Sequence, residues 1–279
     1  MSVSFQHGET VTAGAGHGRD LGAPAEHGPA QGSPEALAET LAVQLDALDL
    51  FERVAAIRTL IPGRIVFTTS FGLEDQAIAH AIFAQALAID VATLDTGRLF
   101  PETYDVWAET ERRYAARIVA FAPEHRSVEA MVARAGINGL RASIAARLDC
   151  CEVRKVAPLA RLLHGRAAWI TGLRAGQSAE RARLSPASFD GERRLIKVNP
   201  LFDWTRERTA EFVRHHEVPY NALHDRGYLS IGCAPCTRAV TPGEPERAGR
   251  WWWEQTQTKE CGLHVGADSR RAAGTQPQS

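Results

Sequence analysis

The sequence lacks any run of about 20 apolar residues, the length that an α-helix needs to cross a bilayer. Its N-terminus also lacks the basic segment and apolar core of a secretory signal. These absences argue against a membrane or secreted protein, and we expect a cytoplasmic one. Neither sign of charge is in excess, because Lys and Arg number 32 and Asp and Glu number 33. Bulk charge therefore does not direct the chain to nucleic acid or to an acidic membrane surface.

Cysteine is scarce and odd in number. Of the five cysteines, Cys150 and Cys151 are adjacent. Such a set suits a framework of disulfides poorly and suits a reducing compartment well. With 279 residues, 44% of them hydrophobic, the chain can bury a core without disulfides. Metal binding or thiol chemistry is therefore the better interpretation of the cysteines.

The first 33 residues differ in composition from the rest of the chain. They are rich in Gly, Ala, His and Pro and show no apolar periodicity, so we expect residues 1–33 to form a disordered tail. From Ser33 and Pro34, an N-cap and a first-turn residue, apolar side chains recur at helical spacing as far as Phe51. We predict one folded domain over residues 34–265 and a flexible tail over 266–279.

Within that domain, short apolar runs alternate with amphipathic segments. This order predicts an α/β fold with an open, mainly parallel sheet flanked by helices, followed by a loop-rich C-terminal segment. Ligands bind such sheets outside the carboxyl ends of the strands, so the loops that follow strands are candidate sites. The strands are predicted at 64–67, 88–94, 116–121 and 167–172, and the helices from Leu73 and over 101–114, 128–135 and 205–216.

Three of the loops that follow strands are polar. The first, 68–76, is a turn of small residues leading into a helix, and such a turn can wrap an anion. A plain capped turn explains it equally well, and it matches neither the Walker nor the dinucleotide pattern. The second loop spans 94–101. The third, 171–178, presents Arg174 where a phosphate could lie.

Four of the cysteines form two pairs. Cys233 and Cys236 have the C-x-x-C spacing that lets two thiolates reach one metal centre, and Cys150 and Cys151 are a second pair. Four thiolates suit tetrahedral zinc or a cubane iron–sulfur cluster, although adjacent ligands are awkward for one zinc ion. A redox pair of the thioredoxin type and two buried apolar thiols are the alternatives.

Cys261 stands apart from both pairs, in the run 259–264. A metal centre with four ligands does not need it. Lys259 and His264 would favour its thiolate, which is the reactive form of cysteine. Cys261 is therefore a candidate nucleophile, with an incidental surface cysteine as the alternative.

Taken together, these motifs resemble the assimilatory adenylyl-sulfate and phosphoadenylyl-sulfate reductases, which are relatives of the ATP pyrophosphatases. The resemblance spans about residues 60–265 and implies an adenine-nucleotide alpha-hydrolase-like fold. The motifs that carry it lie at 70–76 (SFGLEDQ), 94–97 (LDTG), 150–155 (CCEVRK), 172–174 (GLR), 199–201 (NPL), 233–238 (CAPCTR) and 260–264 (ECGLH).

The resemblance implies a cofactor and a substrate. In that family the double cysteine and the C-x-x-C pair bind a [4Fe-4S] cluster, and they occur in the branch that reduces adenylyl sulfate. We therefore expect a cluster on the four paired cysteines and adenylyl sulfate as substrate. Preference for the 3′-phosphorylated substrate, or use of both, stays open. A non-catalytic nucleotide-binding module stabilised by zinc is the alternative from another class.

The resemblance also implies a mechanism. Cys261 attacks the sulfonyl sulfur, AMP departs, and an S-sulfonated cysteine remains. A separate thioredoxin is expected to release sulfite, because the chain ends soon after His264. Assembly into a homo-oligomer is left open.

Cations are needed near the sulfate to offset its charge. Lys155 lies one helical turn beyond Cys151 and could face both cluster and substrate. Lys155 and His264 are assigned to catalysis with Cys261, and Arg247 and Arg250 match family positions that contact the phosphosulfate. The predicted substrate-binding residues are Ser70, Phe71, Gly72, Glu74, Asp75, Asp95, Thr96, Gly97, Arg174, Arg247 and Arg250.

Overall fold

The computed structural model describes residues 32–254 and Leu263, and a six-stranded sheet lies at its centre. The strand order is β3-β2-β1-β4-β6-β5, and neighbouring strands are parallel except for the antiparallel pair β5 and β6. The predicted α/β fold with a mainly parallel sheet is confirmed. The strands are β1 (Ile65–Thr69), β2 (Asp90–Leu94), β3 (Val119–Phe121), β4 (Ala168–Ile170), β5 (Ala187–Asp190) and β6 (Leu195–Val198).

Eight α-helices are described around the sheet, and the cluster of buried apolar residues that α1, α2, α3 and α8 share with it is the main core. A smaller apolar cluster joins α7 to β1, β2 and β4. In the described part of the chain, no helix has the length and apolar character that a membrane span requires. The helices are α1 (Pro34–Asp46), α2 (Leu50–Leu60), α3 (Leu73–Ala84), α4 (Pro101–Tyr114), α5 (His125–Ala135), α6 (Ile144–Cys151), α7 (Ala157–Leu163) and α8 (Arg206–His215).

The start of α1 agrees with the sequence prediction. The Ser33 hydroxyl accepts the amide hydrogen of Ala36, and Pro34 occupies the first turn. The periodicity through Phe51 suggests one continuous helix, which is wrong, because α1 ends at Asp46. The Asp49 side chain accepts the amide hydrogen of Glu52, whose own carboxylate accepts that of Asp49, and this capping box starts a second helix.

Two features of the fold determine where functional residues lie. β1, β2 and β4 run in parallel, so their following loops meet at one edge of the sheet. Residues 144–163 form a continuous helical stretch, in which the π-helical turn Glu152–Val156 joins α6 to α7. This stretch carries the double cysteine and Lys155.

Candidate active site

A cleft with about 1270 Å³ of open space lies at the carboxyl edge of the sheet. It is lined by all three polar loops that the sequence singles out, together with the segments around residues 230 and 247. Three of the predicted substrate-binding and catalytic residues that the structure describes, Asp95, Gly97 and Arg174, do not line it. The substrate-binding and catalytic residues that do are Ser70, Phe71, Gly72, Glu74, Asp75, Thr96, Lys155, Arg247 and Arg250.

The Asp75 carboxylate closes the turn after β1. Asp75 accepts hydrogen bonds from the backbone amide of Ser70 at 2.5 Å and from its hydroxyl at 2.7 Å. Burial raises the pKa of Asp75 to about 7, although the Ser70 hydrogen bonds act in the opposite direction. The loop after β4 packs directly on this carboxylate, because a Cβ atom at Gly172 would lie 2.1 Å from Asp75 Oδ1. A side chain at position 172 would therefore displace Asp75 or the loop after β4.

Asp95 and Gly97 shape the second loop from outside the cleft. The Asp95 carboxylate accepts hydrogen bonds from the Gly97 amide at 2.9 Å and from the Tyr104 hydroxyl at 2.8 Å. Thr96, in this loop, lines the cleft, and its hydroxyl lies 3.3 Å from Cys233 Sγ. Arg154 Nη1 donates to the Thr96 carbonyl oxygen at 2.6 Å.

Arg174 is buried behind the cleft and is held by two carboxylates. Its Nε donates to Glu74 Oε1 at 2.7 Å, and its Nη2 donates to both carboxylate oxygens of Glu246 at 2.9 Å. Burial by itself would raise the pKa of Glu74, but the Arg174 guanidinium holds it below its ordinary value. Sequence reasoning missed Glu246, because nothing in its local pattern connects it to Arg174.

The cysteines of the two pairs surround a second, smaller cavity that adjoins the cleft. All four are free thiols, and Cys151, Cys233 and Cys236 are buried. Lys155, Cys233 and Arg250 line both the cavity and the cleft. Among the residues that the structure describes, no three His, Cys, Asp or Glu side chains converge on a point that would hold one metal ion. All four cysteines line the same cavity.

The walls of the cysteine cavity also carry hydrogen-bond donors without acceptors. Within the described part of the chain, the Nε atoms of Arg154 and Arg250 and the Nε1 atom of Trp251 are buried and have no hydrogen-bond partner, and all three residues line the cavity. A buried donor without an acceptor costs about 1–3 kcal/mol. A sulfur-rich group among the thiols would provide acceptors, so the residues present fit an iron–sulfur cluster.

The pKa values of the two cysteines in the C-x-x-C turn are shifted in opposite directions. Burial raises the pKa of Cys236 to about 11. Burial also acts to raise the pKa of Cys233, but the Lys155 ammonium and the Thr96 hydroxyl together hold it below its ordinary value. The Lys155 side chain therefore interacts electrostatically with the thiols as well as facing the cleft.

Leu263 is described although residues 255–262 and 264–279 are not. It lines the cleft and packs against the apolar cluster of Trp169, Leu159 and Leu162. The guanidinium of Arg193 lies 3.5 Å from its carbonyl oxygen. The two remaining predicted catalytic residues, Cys261 and His264, lie outside the described residues.

The chain matches a protein-family model and several named proteins. The model, described as the phosphoadenosine phosphosulfate reductase domain, matches residues 64–239, which is more than half of the chain. The chain belongs to this family. The family predicted from the motifs is thereby confirmed.

Named members of this reductase family align with most of the chain. An adenosine 5′-phosphosulfate reductase of Agrobacterium fabrum is 51% identical over 249 residues, which are 88% of this chain and 95% of that protein. One from Sinorhizobium fredii is 54% identical over 233 residues, 84% and 92% of the two chains. The crystal structure of a phosphoadenylyl-sulfate reductase from Candida auris, at 26% identity, aligns with a TM-score of 0.62 and covers 73% of this chain and 96% of that one.

Proposed function

We propose that this member of the reductase family converts adenylyl sulfate to sulfite and AMP. The observation that carries the proposal is the joining of the basic end of the cleft to a cavity lined by four cysteines. Relatives that are 51% and 54% identical to the chain are named adenosine 5′-phosphosulfate reductases. A cleft at the carboxyl edge of a parallel sheet is a suitable place for a nucleotide.

The charges of the cleft orient the substrate. Lys155 and Arg250 line both the cleft and the cysteine cavity and mark the basic end, Arg247 also lines the cleft, and Glu74 and Asp75 lie in the first turn of α3. An anionic phosphosulfate is stabilised by the basic end, where its charge increases on the departing phosphate. The nucleoside then lies toward the turn after β1.

The four paired cysteines would hold a [4Fe-4S] cluster. When bound, the cluster would join α6 to the turn at 233–236 and place its charge next to Lys155, and it would not supply the electrons for the reaction. The fit rests on the arrangement of the thiols around one cavity and on the buried donors of Arg154, Arg250 and Trp251. A zinc-stabilised module without catalysis is the weaker alternative.

Cys261 is the proposed nucleophile. Cys261 stands two residues before Leu263 in the sequence, and Leu263 lines the cleft. The Cys261 thiolate attacks the sulfonyl sulfur, a sulfur–sulfur bond forms, and the bond from sulfur to the phosphate oxygen breaks with its electron pair leaving on AMP. We assign His264 the role of favouring the thiolate.

A separate thioredoxin completes the proposed reaction. One of its thiolates attacks the Cys261 sulfur and sulfite leaves with the bonding pair, so the two electrons come from the partner. The second thiol of thioredoxin then resolves the mixed disulfide. This chemistry needs a reducing compartment, for which we propose the cytoplasm. We propose that residues 34–265 form the catalytic unit and that the tails 1–33 and 266–279 take no part in the chemistry.

The decisive experiment looks for the S-sulfonated cysteine in the absence of thioredoxin, so that the intermediate cannot turn over. Protein purified without oxygen is incubated with adenylyl sulfate and no thioredoxin. It is then digested, and the masses of its peptides are measured by mass spectrometry. We expect the sulfonate mass on the peptide that contains Cys261 and none in the variant Cys261→Ser. An adduct on Cys233 or Cys236 would instead make the C-x-x-C turn the redox centre and would overturn both the mechanism and the cluster.

Phosphoadenylyl sulfate is the alternative substrate, since one solved structure that resembles this chain is named a phosphoadenylyl-sulfate reductase. Sulfite release with thioredoxin, measured on both nucleotides, decides between them. We expect the larger kcat/KM for adenylyl sulfate. A preference for the 3′-phosphorylated nucleotide would overturn the substrate assignment and leave the nucleophile unaffected.

A further inference from the structure

The environment of Arg174 does not match that of a substrate ligand. Its side chain is 1% exposed, and its guanidinium is bound by Glu74 on one side and by Glu246 on the other. Both carboxylates line the cleft, whereas Arg174 itself does not. A guanidinium that is committed to two carboxylates in this way cannot also form a bidentate contact with a sulfate or phosphate.

These three residues join segments that are distant in the sequence. Arg174 follows β4, Glu74 lies in the first turn of α3, 100 residues away, and Glu246 lies 72 residues away in the other direction. Glu246 immediately precedes Arg247, which lines the cleft. The ion cluster therefore connects the first turn of α3 and the loop after β4 to the segment that bears Arg247.

Several hydrogen bonds on either side of Glu246 are local. The Glu244 carboxylate accepts from Arg238 and from the Thr241 amide, and the Ala248 amide donates to the Pro245 carbonyl oxygen. These contacts shape the segment without joining it to the sheet. The contact between Glu246 and Arg174 fixes the segment against the loop that follows β4.

We propose that Arg174 is a positioning residue that holds Glu246 and thereby fixes Arg247 at the phosphate end of the cleft. The inference rests on the proposed function, because it takes Arg247 as a contact of the phosphosulfate. Arg174 also offsets the charge of two carboxylates that would otherwise face an anionic substrate. Replacing it by Lys keeps one charge but cannot reproduce the forked contact to both carboxylates.

The test compares two ligands that differ only at the phosphate. The affinities of AMP and adenosine are measured by calorimetry on the full-length, anaerobically purified protein and on Glu246→Ala. We expect AMP to bind about tenfold more weakly to the variant, or about 1.4 kcal/mol, and adenosine to bind as before. Unchanged AMP affinity, or an equal loss for adenosine, would overturn the proposal.

A double variant distinguishes positioning from direct contact. Arg174→Met should weaken AMP binding at least as much as Glu246→Ala does, and the double variant should be no weaker than Arg174→Met, because both changes break the same link. Losses that add would mean that Arg174 contacts the phosphate itself. Should Arg174→Met fail to fold, Glu246→Ala and Arg174→Lys decide, and Arg174→Lys is expected to keep part of the AMP affinity.

Two controls complete the design. Glu244→Ala removes a carboxylate from the same segment. Because the Glu244 carboxylate pairs with the half-exposed Arg238 and not with Arg174, this variant should change AMP affinity less than twofold. An equal loss in this variant would mean that any damage to the segment suffices, which would overturn a specific role for Arg174. Absence of sulfite release by the wild type from either nucleotide would reject the proposed function, and the AMP comparison would still test the link between Arg174 and the phosphate end.

Discussion

At the residue scale, Lys155 occupies the position where the two cavities meet. Its side chain lines the cleft and the cysteine cavity, and it contributes to lowering the pKa of Cys233. We expect Lys155→Ala to lower kcat/KM for adenylyl sulfate by about 100-fold, because a lost cation acts on a phosphosulfate whose charge increases in the transition state. The absorbance of the cluster and the thermal unfolding midpoint should change little.

Lys197→Ala is the matched control for that experiment. Lys197 lies 5.2 Å from the ring centre of Trp169 and does not line the cleft, so its loss should leave kcat/KM within twofold of the wild type. Normal kinetic constants in Lys155→Ala would mean that Lys155 is not an active-site residue. If both variants lost activity equally, the effect would be one of net charge.

His80 is a second residue whose environment predicts a measurable effect. Burial, with further contributions from His216 and Arg113, lowers its pKa to about 4, and its Nδ1 lies 2.8 Å from the Tyr114 hydroxyl. The unfolded chain, with a histidine pKa near 6.5, binds the proton more readily than the folded protein. Stability is therefore expected to fall as the pH decreases from 6.5 toward 4, and this component should be constant above 6.5.

Urea unfolding at pH 7.5 and pH 5 tests this expectation. His80→Phe, which cannot titrate, should lose less stability on acidification than the wild type. The exposed His125 supplies the control, since His125→Phe should behave as the wild type does. Equal pH dependence in the wild type and His80→Phe would show that His80 does not contribute. Asp75, whose pKa is raised to about 7, favours the folded state as the pH falls, which is opposite to the effect of His80. The informative quantity is therefore the difference in pH dependence between the wild type and His80→Phe.

At the scale of elements, the loop after β4 is set by its contact with the start of α3. A Cβ atom at Gly172 would lie 2.1 Å from Asp75 Oδ1 and 3.2 Å from Glu74 Cβ. We expect Gly172→Ala to displace the turn after β1 and to weaken AMP binding by at least tenfold, because Asp75 closes that turn through Ser70. Calorimetric titration with AMP measures the effect.

Gly176 offers a matched control in the same loop. The nearest atom to a Cβ at position 176 would be Arg174 Nη1 at 3.7 Å, which is an ordinary contact. Gly176→Ala should therefore bind AMP as the wild type does. Normal AMP binding by Gly172→Ala would mean that the turn after β1 tolerates the displacement, and the close approach would then have no functional weight.

The elements also show what could be predicted from the sequence. The parallel sheet was predictable because its strands are continuous apolar runs. The paired cysteines were predictable because the members of each pair are adjacent or only three positions apart in the sequence. The hairpin of β5 and β6 was not predicted, since its strands are short and polar residues interrupt them. The partners of Arg174 were missed for another reason, because Glu246 is 72 residues away and only the folded chain brings them together.

At the scale of the whole molecule, the cysteine cavity joins parts of the chain that are distant in sequence. Two of its thiols lie at the end of α6 and two lie in the turn at 233–236. A fully buried ion pair reinforces the same junction, because Arg147 on α6 binds Glu254 at 2.8 Å with both side chains 3% exposed. Breaking such a pair costs about 3–5 kcal/mol, so the junction is a structural requirement as well as a candidate cofactor site.

A bound cluster would add to that junction, and its loss should therefore affect folding. We expect Cys236→Ser to lose the broad absorbance near 400 nm that iron–sulfur centres give, and also much of the folded yield, because ligation and folding are coupled. Cys261→Ser is the matched control, since the same chemical change is made at a cysteine outside both pairs. It should keep the absorbance and the AMP affinity while losing sulfite release. Full absorbance and activity in Cys236→Ser would reject the assignment of the four ligands, whereas bleaching in Cys261→Ser would mean that the nucleophile and the ligands had been assigned to the wrong cysteines.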